Sequence, residues 1–292
     1  MMTTKFQLDR VLYQFTHRVS VPALRPLQHP IAARIFHRYM AEQLGHLYQR
    51  VDEGPVPPGD IIMRTSILRP QHAATAQSRA NYFASGYMQM HRWLALLEHS
   101  GFNLRTASTI MELGCGSGRL LRHLRCIKGA RLIGTDVEAD KIAWCRAYLP
   151  GIEFYAHGIE PPITGLDDGT ASLIYASSVF THIPLATQEA WLVELRRILK
   201  PDGYLLVSVL NRQYMDEMLT PDQARQVEDN GHFELTWEDD NVSVSSQLTR
   251  QWDVFQSRAE LNEVFGRHFH LLDFVPSHQD LLVLQKPGPR IS

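Results

Sequence analysis

The run Met111-Glu112-Leu113-Gly114-Cys115-Gly116-Ser117-Gly118-Arg119-Leu120-Leu121 leaves this chain few choices of local fold. Thr109, Ile110 and Met111 form a short apolar strand. Three glycines at alternate positions then let the backbone turn tightly and pass close to a ligand, because no Cβ stands in the way. Leu120, Leu121, Leu124 and Ile127 recur at helical spacing, and Gly129 stands where a helix would end. A ligand over such a turn meets backbone N–H groups and a positive helix end. A dinucleotide loop needs its third glycine three residues after the second; here Arg119 holds that place and Gly118 comes one residue early. Glu112, two residues before the first glycine, repels a pyrophosphate and attracts a cationic amino-acid group. Alone, the triplet is also compatible with a tight turn that binds nothing.

Four further segments follow in an ordered series. Arg131-Leu132-Ile133-Gly134-Thr135-Asp136 is a strand ending in a carboxylate. An acid at the tip of the second strand takes ribose hydroxyls in doubly wound folds, and it also suits capping of the next helix, Glu138 to Tyr148. Ile152 to Ile159 is a third strand with its exit, and Ser172 to His182 a fourth. Trp191 to Lys200 predicts a helix, Pro201-Asp202-Gly203 a turn and Tyr204 to Val209 a fifth strand.

In this order the segments resemble the class I S-adenosylmethionine-dependent methyltransferases, whose first motif reads E/D-x-G-x-G-x-G. The resemblance covers residues 109 to 210. It implies an α/β, doubly wound, Rossmann-like sheet of seven strands, with S-adenosyl-L-methionine held by Glu112, Gly114, Cys115, Gly116, Gly118, Asp136 and Val137. It places Gly158 and Ile159 at the adenine and Ser177, on the fourth strand's tip, beside the reactive methyl. Two departures stand out: Gly158 replaces the acid often found there, and Ala171-Ser172 replace the usual Phe-Asp. Shorter runs at Tyr82–Gly86, Cys115–Arg119, Ala143–Arg146, Ser178–His182 and Gln279–Leu284 resemble a bacterial branch of the family associated with surface-polysaccharide assembly.

Charge and cysteine usage narrow the classes further. A formal net charge of −2 gives no basis for nucleic-acid binding. No apolar run approaches twenty residues, so no integral membrane segment is expected. The three cysteines lack metal-ligand spacing and fit a reducing, cytoplasmic setting. Cys115 is read as part of the cofactor loop, not as a nucleophile, and no metal is expected.

Residues 1–60 read as a helical N-terminal arm, with two amphipathic stretches, five arginines and a Pro/Gly-rich linker at 53–59. Such an arm is more often simply solvated, or packed on a partner subunit as in a homodimer, than in contact with an anionic membrane. Residues 61–292 read as the methyltransferase domain: cofactor core 109–210, acceptor-side insertion 211–256, closing helix and hairpin 257–287. Phe83, Tyr87, Met90, Leu94 and Leu97 form one apolar stripe on a long helix over 78–100, closed by Gly101. Phe83 and Tyr82, at its start, are expected to cover the nucleoside and the acceptor respectively. Val242, Val244, Ser246 and Leu248 alternate as a half-buried strand. Ser257 with Glu260 forms a capping box, and Phe269–Val275 with Asp280–Gln285 a hairpin.

Methyl transfer from a sulfonium needs in-line positioning first, and a hydroxyl acceptor also needs a base. His182, His278, Asp253 and Asp280 are the candidates. His182, just past the fourth strand, is the first choice for a catalytic role, although capping of the next helix explains it more economically. Tyr214, Trp252 and His278, with Tyr82, are expected to bind a small-molecule or glycan acceptor. Two rivals stay open: a cofactor-binding scaffold without turnover, and a nicotinamide-dependent oxidoreductase, which Glu112 and Arg119 disfavour.

Overall fold

A computed structural model describes residues 76–237 and 251–288. The chain divides into two units, Met1–His99 and Ser100–Ser292. The arm over 1–60, its linker and the alternating run 242–248 lie outside the described residues.

In the first unit, α1 (Ala76–His99) is the expected long helix. Its buried stripe is rotated from the expected one. Phe83, Met90 and Leu97 are buried, but Gly86 and Trp93 complete the set, while Tyr87 and Leu94 are half-buried. Gly86 contributes no side chain, which is why a stripe drawn through large residues misses it.

The second unit is built on seven strands: β1 (Thr109–Leu113), β2 (Arg131–Asp136), β3 (Glu153–Ala156), β4 (Ala171–Ala176), β5 (Leu199–Val209), β8 (His270–Val275) and β9 (Asp280–Gln285). Their order is β3-β2-β1-β4-β5-β9-β8. The first five are parallel, and β9 runs antiparallel to both its neighbours. This is the doubly wound sheet that the sequence predicts. Strand order reverses at β1, between β2 and β4, and ligands of open α/β sheets bind at the carboxyl ends beside such a switch. β1 is buried at every position, as a strand covered on both faces must be.

Helices α2 (Ala139–Tyr148) and α3 (Leu185–Ile198) connect the parallel strands. Met111, Leu113, Ile133, Ile174, Leu192, Leu195, Leu205 and Phe265 belong to one continuous apolar core. Arg146 on α2 donates from Nε and Nη2 to the Phe154 carbonyl, at 3.0 and 2.7 Å, tying the helix to β3.

Two local expectations are corrected. After the glycine loop there is no α-helix but a 3-10 turn, Leu121–Cys126, and Ile127 is already extended. The Glu112 carboxylate takes the Leu121 N–H, while the Arg122 N–H still reaches the Gly118 carbonyl at 3.3 Å. Pro201-Asp202-Gly203 does not separate helix from strand. β5 begins at Leu199, which pairs with Ala171, and the register jumps to Leu173↔Tyr204, so residues 200–203 bulge.

The insertion folds on itself. Helices α4 (Arg212–Met218) and α5 (Pro221–Asn230) and the antiparallel pair β6 (His232–Trp237) and β7 (Gln251–Gln256) enclose a small core of Leu210, Met215, Val227 and Phe255. Thr220 and Gln223 form a complete capping box at the start of α5. Helix α6 (Arg258–Gly266) starts at Ser257, whose hydroxyl accepts the Glu260 N–H.

Candidate functional site

The glycine loop leaves β1 at the switch point. Gly114, Gly116 and Gly118 have φ of +68°, +53° and +73°, a region L-residues with side chains avoid. The loop is laced to β2: the Cys115 N–H donates to the Thr135 carbonyl at 2.9 Å and the Gly116 N–H to Asp136 Oδ2 at 2.7 Å. Cys115 is buried over Gly134, where an added Cβ would lie 3.0 Å from its sulfur. Burial pushes its thiol well above the ordinary value, and a thiol held protonated is a poor nucleophile.

Glu112 is fully enclosed. Its Oε2 accepts the Leu121 N–H and the Tyr175 hydroxyl, each at 3.1 Å. Burial outweighs Arg119 and pushes its carboxyl up to about 8. Its visible work is to fix the far end of the loop. Tyr175 carried no sequence signal of its own, because a tyrosine in an apolar strand reads as core.

Asp136 closes the other side. While Oδ2 holds the loop, Oδ1 accepts the Glu138 N–H at 2.9 Å at the start of α2. Two bonds leave an ionised carboxylate with free lone pairs, so capping and ribose binding are compatible. Val137 beside it is half-buried and Ile159 is 37% exposed. The exposed isoleucine at the β3 exit is available to an apolar ligand face. The Trp191 indole donates to the Ile159 carbonyl at 3.1 Å, and the His157 N–H donates to the Asp136 carbonyl at 3.1 Å, so the β3 exit is fixed from both sides. At Gly158 an added Cβ would come no nearer than 3.6 Å to its neighbours, so this position does not need glycine.

The β4 exit is the most constrained segment of this edge. Ser177 is half-buried, and Ser178 has φ of +53°. The Ser178 N–H donates to Ser208 Oγ at 2.8 Å, and both hydroxyls donate to Gln279 Oε1, at 2.8 and 2.7 Å. His182 faces the insertion instead. Its Nδ1 lies 2.8 Å from the Trp252 carbonyl and 3.3 Å from Asp253 Oδ1. Burial opposes its charge, but Asp253 and the carbonyl prevail and raise its pKa above 6.5. The Val254 N–H donates to the Thr181 carbonyl at 2.8 Å, so His182 and Thr181 together pin β7 to the β4 exit.

That geometry carries a prediction. The raised pKa means that the ion pair stabilises the fold fully below about pH 6.5 and fades as pH rises through the folded-state value. His182→Gln is expected to lower stability by about 1 kcal/mol at pH 6, by less at pH 9, and to change saturated turnover only modestly. Thermal midpoints at the two pH values, with turnover at saturating cofactor, check it. A turnover loss of about 100-fold at unchanged stability would give His182 the base role instead.

Of the expected acceptor residues, Tyr214 and His278 come together, with Tyr214 Oη 2.7 Å from His278 Nε2. Trp252 sits on β7, opposite Thr236, with its carbonyl on His182. Tyr82 and Phe83 lie on α1 in the first unit, edge to face with centroids 5.6 Å apart. Among the described residues no group of His, Cys, Asp and Glu could hold a metal ion. Ser208, inside β5, and Asn211 were not singled out from the sequence, and Ser178 entered only as the start of the run Ser178–His182, since isolated small polar residues carry no periodicity.

The residues present suit S-adenosylmethionine: a left-handed glycine loop, a carboxylate at the second strand tip and an exposed isoleucine at the exit of the third strand. A family model described as a methyltransferase domain matches residues 84–268, more than half of the chain. The chain belongs to this methyltransferase family. Its fold is shared with a SAM-dependent methyltransferase from Methanosarcina mazei, at a TM-score of 0.51 and 16% identity over 66% of this chain and 98% of that one. It is similar to ubiquinone biosynthesis O-methyltransferases from Rhodopseudomonas palustris, 26% identical over 62% of this chain and 64% of the relative. A Maricaulis maris protein of the same name is 29% identical over 35% of this chain and 41% of the relative. The chain thus spans less than two thirds of the length of these curated relatives. The family and the shared sheet give this chain a methyltransferase domain of the class I fold. Among the described residues no helix is long and apolar enough to cross a membrane.

Proposed function

We propose that the chain transfers the methyl group of S-adenosylmethionine to an oxygen of a small-molecule or glycan acceptor. The observation that carries this reading is Asp136, which ties the glycine loop to the start of α2 at the switch point and keeps lone pairs for a ribose. The cofactor supplies an activated methyl group. Asp136 would hold the ribose, Val137 and Ile159 the base, and the glycine loop the methionine end; Ser177 would border the methyl. The name of the curated relatives supports oxygen as the acceptor atom. Nitrogen acceptors are the alternative, and the resemblance to the polysaccharide-associated branch supports a sugar as one hydroxyl source. A homodimer through the N-terminal arm and a cytoplasmic location belong to the same reading.

Calorimetry tests the cofactor. S-adenosylmethionine and S-adenosylhomocysteine should bind and raise the melting temperature, and NAD should do neither. Asp136→Ala should weaken cofactor binding by about 1–3 kcal/mol, the scale of a lost charge-assisted hydrogen bond. Binding of NAD with no binding of S-adenosylmethionine overturns the proposal. Binding without homocysteine-product formation across a panel of hydroxyl and amine acceptors favours a scaffold without turnover.

A further inference from the structure

The turn between β8 and β9 is held more firmly than a surface hairpin needs. Asn211, which caps α4 by accepting the Tyr214 N–H, donates from Nδ2 to the Ser277 carbonyl at 2.8 Å and to the His278 carbonyl at 3.2 Å. The same amide lies 3.3 Å from Asp280 Oδ1, which also accepts the Ser277 N–H at 3.1 Å. Gln279 in this turn receives the hydroxyls of Ser178 and Ser208, so the turn is coupled to the left-handed residue at the tip of β4. Strained backbone that its surroundings over-determine collects at functional sites.

The side chain that this network presents is His278. Its Nε2 meets the Tyr214 hydroxyl at 2.7 Å, with ring centroids 5.3 Å apart, and the imidazole is exposed. Among the described residues nothing bonds its Nδ1. The titratable groups around it are Tyr214 from α4 and Asp280 from β9. Asp280 is engaged by Asn211 and Ser277, and the Tyr214 hydroxyl is held neutral by burial and Glu217. His278 stands at the carboxyl edge of the sheet, because β9 starts where β5 ends: Asp280 pairs with Val209 and Ala176 with Val207. Two strand steps of about 4.8 Å separate β9 from β4, a gap that one acceptor ring and an imidazole fill.

We propose that His278 is the proton acceptor for a hydroxyl-bearing acceptor, with Tyr214 as its positioning residue. As the acceptor oxygen bonds to the methyl carbon, the carbon–sulfur bond breaks and the sulfur keeps the electron pair. The hydroxyl proton passes to His278 Nδ1, and Nε2–H donates to the Tyr214 oxygen, fixing the tautomer that leaves Nδ1 open. His182 holds Nδ1 to the Trp252 carbonyl and Asp253, which turns its ring to the insertion. The inference rests on the proposed methyl transfer to oxygen.

The test uses the full chain with S-adenosylmethionine and three probes: catechol, methyl glucoside and benzylamine. Formation of S-adenosylhomocysteine is followed from pH 6 to 10, and cofactor affinity is measured on each variant by calorimetry. With a hydroxyl probe, His278→Gln is expected to cut turnover by about 100-fold or more near neutral pH at unchanged cofactor affinity and melting temperature. With catechol the loss should shrink towards pH 10, where the probe ionises unaided. Tyr214→Phe should cost about tenfold, in turnover rather than KM, and should shift the acid limb of the rate profile. His278→Gln within threefold of the wild type, or preference for the amine, overturns the proposal. Cofactor binding with no product from either hydroxyl probe also overturns it while leaving the cofactor reading intact. No cofactor binding at all refutes the underlying function instead.

Discussion

Glu112→Gln is expected to stabilise the protein in alkaline buffer and to flatten its stability between pH 5 and pH 9. The folded state holds the Glu112 carboxyl at about 8 against 4.5 when unfolded, because burial disfavours its charge more than Arg119 supports it. Below pH 4.5 both states are protonated and the fold carries no penalty. Between 4.5 and about 8 the unfolded chain ionises while the native chain keeps its proton, so stability falls as pH rises, then levels off. The shift sets a ceiling on the order of several kcal/mol. The amide keeps an acceptor for the Leu121 N–H and the Tyr175 hydroxyl without the ionisation. Glu112→Ala removes that acceptor and leaves two buried donors unpaired, which costs about 2–5 kcal/mol. Urea unfolding of the three proteins at pH 5 and pH 9 checks this, and a wild type equally stable at both would remove the basis of the claim.

Gly114→Ala should abolish measurable cofactor binding, a loss of about 100-fold or more, and destabilise the fold. A Cβ there would lie 2.4 Å from Val179 Cγ2, and the backbone is left-handed at φ +68°. The conformation costs an L-residue about 1–2 kcal/mol, and the overlap adds about 1–3 kcal/mol. Val179 has little freedom to yield: its χ1 is restricted, and Ser178 before it is already left-handed. The loop must shift, and it is the loop that lines the switch point. The double variant with Val179→Ala removes the clash but not the dihedral cost. It should recover part of the stability and only a fraction of the affinity, which a double-mutant cycle by calorimetry and denaturation resolves. Full recovery would place the whole effect in the clash.

The glycine loop and Asp136 were far more legible than the network at the β4 exit. Gly114, Gly118 and Asp136 sit at fixed offsets from strands whose apolar runs are easily seen, so topology carries them to one edge. The network at the β4 exit draws on residues 178, 208, 211 and 277–280, up to about a hundred positions apart, and no local period links them. His182 shows a related effect. Its position after β4 leaves a base or a cap open, and its ring is turned to β7, whose approach depends on the packing of Phe255 with Met215 and Val227.

By itself the sequence determined the sheet's raw material: five strands, a glycine turn at the first and an acid at the tip of the second, because hydrophobic pattern and backbone freedom are local properties. Only the tertiary structure decided what each polar group is for. Asp136 spans loop and helix, Glu112 is sealed against Tyr175, and His182 is turned to β7 while His278 meets Tyr214. Hydrogen bonds are satisfied between whichever groups packing brings within about 3 Å, and that proximity is set by the sheet order and the folded insertion, not by distance along the chain.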